Sequence, residues 1–358
     1  LELPVPETAA GADPAAEQAT EPPAAILPRE DWLATLRELP AVAGLAPAAV
    51  TAVADDRVRI LLADGSEDAV LWENGLRQAR PYLSENAVGR APDSPADVLA
   101  VGDVIRVRRD DGAWHLSQVP GAQAALVSLD PDDGAILSLV GGIGFELSKF
   151  NRATQAERQP GSNFKPFLYA AALDAGFTAA SIINDAPIVL EDASLEGIWR
   201  PENDGGKFYG PTRLRWALTK SRNLVSIRLL RQLGVRRLID YAGQLGFDTR
   251  DFAPDLSLAL GTHAMAPLEL AAGYAVLANG GYRVEPYLIA RIDDSAGNTV
   301  WAADPARVCR DCGGRELSME EILAGEDANG HRSAERVMDE RVNFILNDML
   351  QDVITRGT

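Results

Sequence analysis

This 358-residue sequence has few of the residues that build metal and redox centres. It contains two cysteines, Cys309 and Cys312, and three histidines. A zinc site needs about four ligands, and the single C-x-x-C has no second pair to complete one. The sequence therefore predicts no metal site and no cofactor. In an oxidising compartment we expect the two cysteines to form a local disulfide.

Long hydrophobic runs and an excess of positive charge are also absent. The longest apolar stretches are interrupted by Gly, Asp or Arg within about a dozen residues, short of the roughly 20 needed to cross a bilayer. The formal net charge is −18 and the pI about 4.6. These values disfavour nucleic acid or an anionic membrane surface as a partner. The content of 46% hydrophobic and 24% charged residues is typical of a globular protein.

The first 120 residues fall into two regions of different composition. Residues 1–40 are rich in proline and alanine without apolar periodicity, which predicts a linker. Residues 41–120 contain short alternating runs separated by Gly-Asp turns, which predicts about five strands and a small β-barrel of the OB type. The region lacks a basic groove with stacking aromatics, so we do not expect it to bind nucleic acid. The predicted strands are 48–53, 57–62, 69–72, 103–107 and 114–119.

Residues 121–358 predict an α+β domain in which helices flank a sheet. Two near-continuous apolar runs in 124–142 predict a hairpin with both faces covered. Helical runs follow, and Gly176, Gly234 and Gly246 are plausible helix ends. A buried helix is predicted over 267–281, and a strand over 282–292.

Ser162 and Lys165 lie three residues apart at the predicted start of an apolar helix. Positions i and i+3 share a helix face, so the lysine can reach the serine hydroxyl. In a desolvated pocket the pKa of the lysine falls far enough for it to accept the hydroxyl proton. The helix N-terminus also places partial positive charge near a developing oxyanion. We therefore predict a nucleophile with its own base.

A second element, Ser221-Arg222-Asn223, lies between two helical runs. S-x-x-K followed by an S-x-N element is the motif order of serine β-lactamases and penicillin-binding proteins. The neighbouring segments add specificity. From about Ala41 onward the chain closely resembles class A penicillin-binding proteins, the Gram-negative 1A branch in particular. The blocks that carry this resemblance are FNRATQA (150–156), RQPGSNFKPF (158–167), WRPEN (199–203), KSRNLVS (220–226) and LSLALG (256–261).

The resemblance implies a peptidoglycan DD-transpeptidase whose serine attacks the penultimate D-Ala of a stem peptide and which β-lactams inhibit. By the family's motifs, Ser162 is the nucleophile and Lys165 the base. Ser221 and Asn223 relay protons and hold the substrate amide, and Gly161 contributes to substrate binding. The implied partners are stem peptides, β-lactams and, through the OB-like domain, regulators of cell-wall synthesis. The implied location is the periplasm, with an inner-membrane anchor in the full-length protein.

The family's third motif, K-T-G, does not occur in the sequence. We interpret the chain as a fragment that also lacks the family's membrane anchor and glycan-polymerising domain. The predicted division is a linker over 1–40, the OB-like domain over 41–120 and an incomplete transpeptidase domain over 121–358. Two alternatives remain open: hydrolysis of the acyl-enzyme, as in a DD-carboxypeptidase or β-lactamase, and an inactive fragment that acts as a binding scaffold.

Three other polar residues, Glu202, Asn203 and His263, are of types that occur as catalytic groups. Glu202 and Asn203 could imitate the deacylating loop of a β-lactamase, but WRPEN matches the penicillin-binding pattern instead. His263 lies between a Gly-Thr turn and an apolar helix. We predict that it is packed or exposed rather than catalytic, since S-x-x-K makes a histidine base unnecessary.

Overall fold

The first unit of the protein is a small barrel with one attached helix. The computed structural model describes residues 28–192, 197–309 and 332–357. By its internal contacts the chain divides into two units, Leu1–Gly121 and Ala122–Thr358. The described elements of the first unit are α1 (Arg29–Glu38), β1 (Ala46–Val53), β2 (Arg57–Leu62), β3 (Glu67–Leu71), β4 (Tyr82–Ser84), β5 (Ala87–Val88), β6 (Val104–Asp110) and β7 (Ala113–Ser117).

Strands β1, β2, β3, β7 and β6 close into a barrel in that order. All neighbours are antiparallel except β3 and β7, which are parallel. Alternate residues point inward, and Val58, Ile60 and Val70 are fully buried in the barrel core. The predicted five-stranded OB-like barrel is confirmed.

Helix α1 lies within the range that the sequence assigned to a linker. Its Leu36 is fully buried with Ala49 of β1 and Leu61 of β2, and Trp32 and Leu33 pack against the same cluster. The linker prediction is therefore wrong for residues 29–38, because apolar residues one turn apart give this short helix a face to bury. Residues 1–27 of the predicted linker lie outside the described residues.

The second unit is a mixed helical and stranded domain built around one buried helix, α2. In chain order, the described elements of its first half are β8 (Leu126–Leu129), β9 (Ile136–Val140), α2 (Lys165–Asp174), β10 (Ile182–Asp185), β11 (Leu190–Asp192), β12 (Gly197–Trp199), β13 (Gly210–Arg213), α3 (Leu214–Thr219), α4 (Asn223–Leu233) and α5 (Val235–Gln244). Those that follow are α6 (Pro267–Ala278), β14 (Tyr282–Arg283), β15 (Arg291–Asp293), β16 (Thr299–Ala302), β17 (Glu335–Arg336) and α7 (Glu340–Arg356).

Helix α2 is buried from Lys165 to Leu173. Helices α3, α4, α5 and α7 surround it, which explains why its sequence is apolar on every side. Each fully buried Leu or Phe contributes about 1.5–3 kcal/mol relative to an exposed one, so packing rather than helix propensity holds α2 in place. The α+β architecture predicted from the sequence is confirmed, with α2 carrying the candidate nucleophile into the domain centre.

Two local predictions in this unit are wrong. The hairpin β8–β9 was expected to be covered on both faces, but it forms a two-stranded sheet whose pairing with a further segment is one isolated bridge, in which the Ile136 N–H donates to the Tyr287 carbonyl at 2.8 Å. Leu126 is 52% exposed and Leu137 65% exposed, because helix α6 packs against β8 from one side only. The strand expected over 282–292 is reduced to β14 and β15, with Pro286, which has no N–H to donate to a ladder, between them.

Candidate active site

Ser162 stands exposed at the start of a helix whose remainder is buried. It lies in a 3₁₀ turn, Gly161–Phe164, that runs directly into α2. The preceding loop is pinned to the segment after a second 3₁₀ turn, Leu256–Leu260. Arg158 and Met265 exchange backbone hydrogen bonds of 3.1 Å, and the Gly161 N–H donates to the Gly261 carbonyl at 3.1 Å. A first-turn N–H has no partner inside the helix, so the Ser162 N–H suits an oxyanion.

Lys165 is the first residue of α2 and its side chain is almost wholly enclosed, with 1% of its surface exposed. Its Nζ donates to the Ser221 carbonyl at 2.8 Å, to Ser221 Oγ at 2.9 Å and to Asn223 Oδ1 at 2.7 Å. These three bonds use all the donors of an ammonium group. Lys165 therefore links the helix of the nucleophile to the S-x-N element.

The connection between Lys165 and Ser162 runs through Ser221. Ser221 Oγ donates to Ser162 Oγ at 3.0 Å. Both Ser162 and Lys165 are in the described part of the chain. The Lys165 backbone N–H donates to the Ser162 carbonyl, but no hydrogen bond joins their two side chains directly. The direct contact expected from their i, i+3 spacing is thus replaced by a bridge, since the lysine side chain turns toward the loop before α4.

Burial lowers the pKa of Lys165 from 10.5 to about 8. The cause is desolvation, because removing water disfavours the charged form. The residue before Lys165 belongs to a buried aromatic cluster. Phe164 packs its ring against Phe167, Phe247 and Phe252 with centroids 5.6–6.0 Å apart. A lysine with such a pKa is neutral often enough near neutral pH to accept a proton.

Ser221 has a left-handed backbone, with φ of +49°. It follows the last turn of α3 and closes it: the Ser221 N–H donates to the Leu218 carbonyl at 3.0 Å, and the Arg222 N–H donates to the Ala217 carbonyl at 2.8 Å. This pair of bonds is a Schellman motif, in which glycine usually occupies the left-handed position. A serine in this position has a strained backbone, and such strain is common at functional sites, which suggests a functional role for the Ser221 hydroxyl.

Asn223 begins α4, and both ends of its amide are engaged. Oδ1 accepts from Lys165, and Nδ2 donates to the Glu202 carbonyl at 2.9 Å. Behind it, Asn203 is 95% buried, and its Oδ1 accepts from the Asn223 N–H at 2.9 Å. From the sequence, Asn203 was recognisable only as a possible imitation of a deacylating loop. Its position within the WRPEN block was the available signal.

Comparison with known proteins places this geometry in a family. Residues 124–358 match the penicillin-binding protein transpeptidase domain, and residues 15–122 match the penicillin-binding protein OB-like domain. The chain belongs to the penicillin-binding proteins. It is 46% identical to penicillin-binding protein 1A of Pseudomonas aeruginosa over 92% of this chain and 43% of that protein. It is also 46% identical to penicillin-binding protein 1A of Escherichia coli, over 78% of this chain and 33% of that protein.

A solved relative has the same fold. The crystal structure of penicillin-binding protein 1A from Haemophilus influenzae superposes with a TM-score of 0.77 at 32% identity, covering 94% of this chain and 48% of that one. The predicted resemblance to the class A, 1A-type proteins is therefore confirmed. The chain spans less than half the length of the curated relatives it matches.

In this penicillin-binding domain the residues predicted as catalytic come together. Ser162, Lys165, Ser221 and Asn223 form one connected hydrogen-bond network. Gly161, predicted to contribute to substrate binding, uses its N–H on the Gly261 carbonyl, so its part in binding remains a prediction. His263 lies outside the network and packs its ring 4.2 Å from that of Phe252.

In 28–192, 197–309 and 332–357, no three His, Cys, Asp or Glu side chains are grouped to hold a metal ion. Cys309 is disulfide-bonded, and Cys312 lies outside the described residues. Across those same ranges, no helix has the length and hydropathy needed to cross a bilayer.

Replacing Ser221 with glycine separates its conformation from its chemistry. We expect Ser221→Gly to keep the free energy of unfolding or raise it by up to about 1 kcal/mol, because glycine adopts positive φ without strain. Acylation should slow by about 10²-fold or more, because the bridge to Ser162 is lost. Thermal denaturation and penicillin-labelling rates measure the two effects.

Ser221→Ala is the matched control, since it loses the hydroxyl but keeps the strained Cβ. It should slow acylation to the same extent without the gain in stability. A glycine variant that acylates at the wild-type rate would remove Ser221 from the proposed relay.

Gly261 approaches the nucleophile turn so closely that no side chain fits. Its φ is +69°, and a Cβ would lie 2.1 Å from the Gly161 carbonyl oxygen. We expect Gly261→Ala to lower the free energy of unfolding by about 1–3 kcal/mol from backbone strain alone. Acylation of the folded fraction should slow by about 10²-fold, because Gly161 must shift and carries Ser162 with it.

The control for Gly261 is Gly297→Ala. Gly297 also has positive φ, +85°, but a Cβ there meets nothing within 4 Å. The Gly297→Ala variant should lose a similar amount of unfolding free energy from backbone strain, but penicillin should label it at the wild-type rate. Equal labelling by both alanine variants would show that the contact of Gly261 with Gly161 does not position Ser162.

Proposed function

We propose that this chain is the serine acyl-transferase unit of a peptidoglycan DD-transpeptidase. The observation that carries the proposal is the chain of hydrogen bonds from exposed Ser162 through Ser221 to buried Lys165. An accessible hydroxyl connected to a lysine of lowered pKa is the arrangement of an activated nucleophile. The identity to penicillin-binding proteins 1A supports D-Ala-D-Ala stem peptides as the substrate class and β-lactams as inhibitors.

The first half of the proposed reaction forms an ester. Neutral Lys165 takes the Ser221 proton while Ser221 takes that of Ser162, which reverses the direction of the bonds in the resting site. Ser162 Oγ then bonds to the carbonyl carbon of the penultimate D-Ala, and the Ser162 N–H stabilises the oxyanion. The C–N bond to the terminal D-Ala breaks, and the proton held by Lys165 returns through Ser221 to the departing amine.

The second half transfers the acyl group. The amine of a neighbouring stem peptide attacks the ester carbon, and its proton passes to Lys165 by way of Ser221. A new amide forms, the bond to Ser162 Oγ breaks, and the oxygen recovers its proton. One remaining N–H of Asn223 Nδ2 is available to bind the substrate amide carbonyl, since Glu202 uses the other.

We propose that residues 1–28 are a linker, that 29–120 form the OB-like domain with helix α1 attached to the barrel, and that 121–358 form the transpeptidase domain. The barrel is proposed to contact regulators of cell-wall synthesis. The chain is proposed to act in the periplasm as part of a longer protein anchored in the inner membrane. Its coverage of 43% and 33% of two curated relatives supports the proposal that it is part of a longer protein.

A fluorescent penicillin tests the proposal. The folded polypeptide is incubated with the probe, separated on a denaturing gel and digested for mass spectrometry. We expect an adduct on the peptide that contains Ser162. With a D-Ala-D-Ala peptide and an acceptor amine, we expect crosslinked product to exceed hydrolysed product. Excess hydrolysis would indicate a carboxypeptidase, and a folded chain without any adduct would indicate a scaffold.

The pKa of Lys165 gives the reaction a pH dependence. Only the neutral amine accepts a proton, and burial holds this pKa at about 8. The acylation rate should therefore rise with pH between about 6.5 and 9, with its midpoint near the lysine pKa. Stopped-flow quenching of protein fluorescence by a β-lactam at a series of pH values measures it. A rate independent of pH across this range would contradict the role of Lys165 as base.

A further inference from the structure

Asp185 is a fully buried carboxylate that the proposed reaction does not use. It ends strand β10 with 0% of its surface exposed. Its Oδ1 accepts from Asn203 Nδ2 at 2.7 Å. Its Oδ2 has no hydrogen-bond partner, and the Arg222 Nε lies 4.0 Å away. Burying a carboxyl group is costly unless it is hydrogen-bonded or paired, so we expect the contacts of Asp185 to have a structural role.

Asn203 connects this carboxylate to the start of α4. Its Nδ2 donates to Asp185 Oδ1 and to the Lys207 carbonyl at 2.9 Å, and its Oδ1 accepts from the N–H groups of Asn223 at 2.9 Å and Leu224 at 3.3 Å. Two acceptors face the amide nitrogen and two donors face the oxygen, which fixes the orientation of the amide. All four hydrogen bonds of a buried asparagine are satisfied.

These contacts make Asn203 a helix cap supplied from another segment. Helix α4 begins after Arg222, whose side chain makes no capping hydrogen bond. First-turn N–H groups need partners, and a cap usually comes from the residue just before the helix. Here the oxygen comes from a residue 20 positions earlier. The Glu202 carbonyl, next in sequence to Asn203, holds the Asn223 side chain at the same time.

We propose that Asp185 and Asn203 are positioning residues that aim Asn223, and through the α3–α4 turn Ser221, at Lys165. Asp185 orients the amide of Asn203, and Asn203 fixes the first residue of α4. Arg222 is held beside the pair by stacking of its guanidinium on Tyr209, 3.5 Å from the ring centroid. The inference rests on the proposed function, since it assigns these residues a part in acylation.

Exchanging the side chains of Asp185 and Asn203 tests the contact between them. Asn203→Asp keeps a capping oxygen but sets a carboxylate against Asp185 and against the Lys207 carbonyl. We expect it to slow acylation of the folded protein by about 10- to 100-fold at fixed pH. Asp185→Asn keeps an acceptor for Asn203 and should change the rate less than about threefold. The double variant Asp185→Asn/Asn203→Asp restores one donor facing one acceptor and should acylate faster than Asn203→Asp alone.

Asn279 provides a matched control. It is 2% exposed, and its amide also makes four hydrogen bonds, to the Pro131 and Tyr282 carbonyls and from the N–H groups of Gly281 and Tyr282. Asn279→Asp should lower the melting temperature as Asn203→Asp does but leave acylation of the folded protein unchanged. Equal acylation rates for both aspartate variants would overturn the positioning role, as would a double variant no faster than Asn203→Asp.

A second measurement does not depend on activity. Asn203→Leu removes the cap, and amide hydrogen exchange at Asn223 and Leu224 should accelerate by about 2- to 30-fold, the range expected for a lost cap. Unchanged exchange would overturn the capping step even if acylation fell. If the wild-type chain were not acylated at all, the proposed function would fail, whereas the exchange rates would still decide whether Asn203 holds the start of α4.

Discussion

Replacement of Ser162 by alanine is expected to abolish covalent labelling by penicillin. Alanine has no Oγ to form the ester, and loss of a catalytic serine costs about 10⁶-fold in a well-studied hydrolase. The fold should be retained because Ser162 is exposed and its hydroxyl only accepts a hydrogen bond from Ser221, which keeps its bond to Lys165. Gel fluorescence after prolonged incubation measures the loss.

Ser181→Ala is the control for Ser162→Ala. Ser181 lies in a turn of the same domain, where its Oγ accepts from the Thr178 N–H at 2.9 Å. This variant should label as fully as the wild type. Labelling retained in Ser162→Ala, located on another residue by mass spectrometry, would remove Ser162 as the nucleophile.

The second large effect is expected at Lys165. Lys165→Met fills a similar volume with an uncharged side chain and should slow acylation by about 10²–10⁴-fold, the usual contribution of a general base. In this variant the acylation rate should no longer rise near pH 8. Burying methionine is less costly than burying an ammonium, which offsets the hydrogen bonds lost at Ser221 and Asn223.

Lys165→Arg distinguishes the base from the charge. Arginine keeps a positive charge but its guanidinium is not deprotonated in proteins. It should be as slow as the methionine variant if Lys165 accepts a proton. An arginine variant that acylates near the wild-type rate would mean that positive charge alone is required, and rate profiles over pH for the three proteins would show it.

Local patterns in the sequence were sufficient for much of the fold. The five barrel strands alternate apolar and polar residues and are separated by turns, so their number and approximate limits follow from the chain itself. Helices α4 and α6 are recognisable by helical spacing and by the glycines that follow them. The failures lie where neighbours decide the outcome. The β8–β9 hairpin contains apolar residues on both faces, and only the tertiary structure shows that one side remains exposed.

The candidate site divides in the same way. The sequence by itself determined which residue types stand three apart in S-x-x-K and two apart in S-x-N, because local spacing fixes which side chains share a turn. Only the tertiary structure decided that Ser221 bridges Ser162 and Lys165, that Gly261 touches Gly161, and that Asn203 caps α4. These contacts join segments 20 to 100 residues apart. No periodicity encodes such pairings, because they depend on how the buried helices pack.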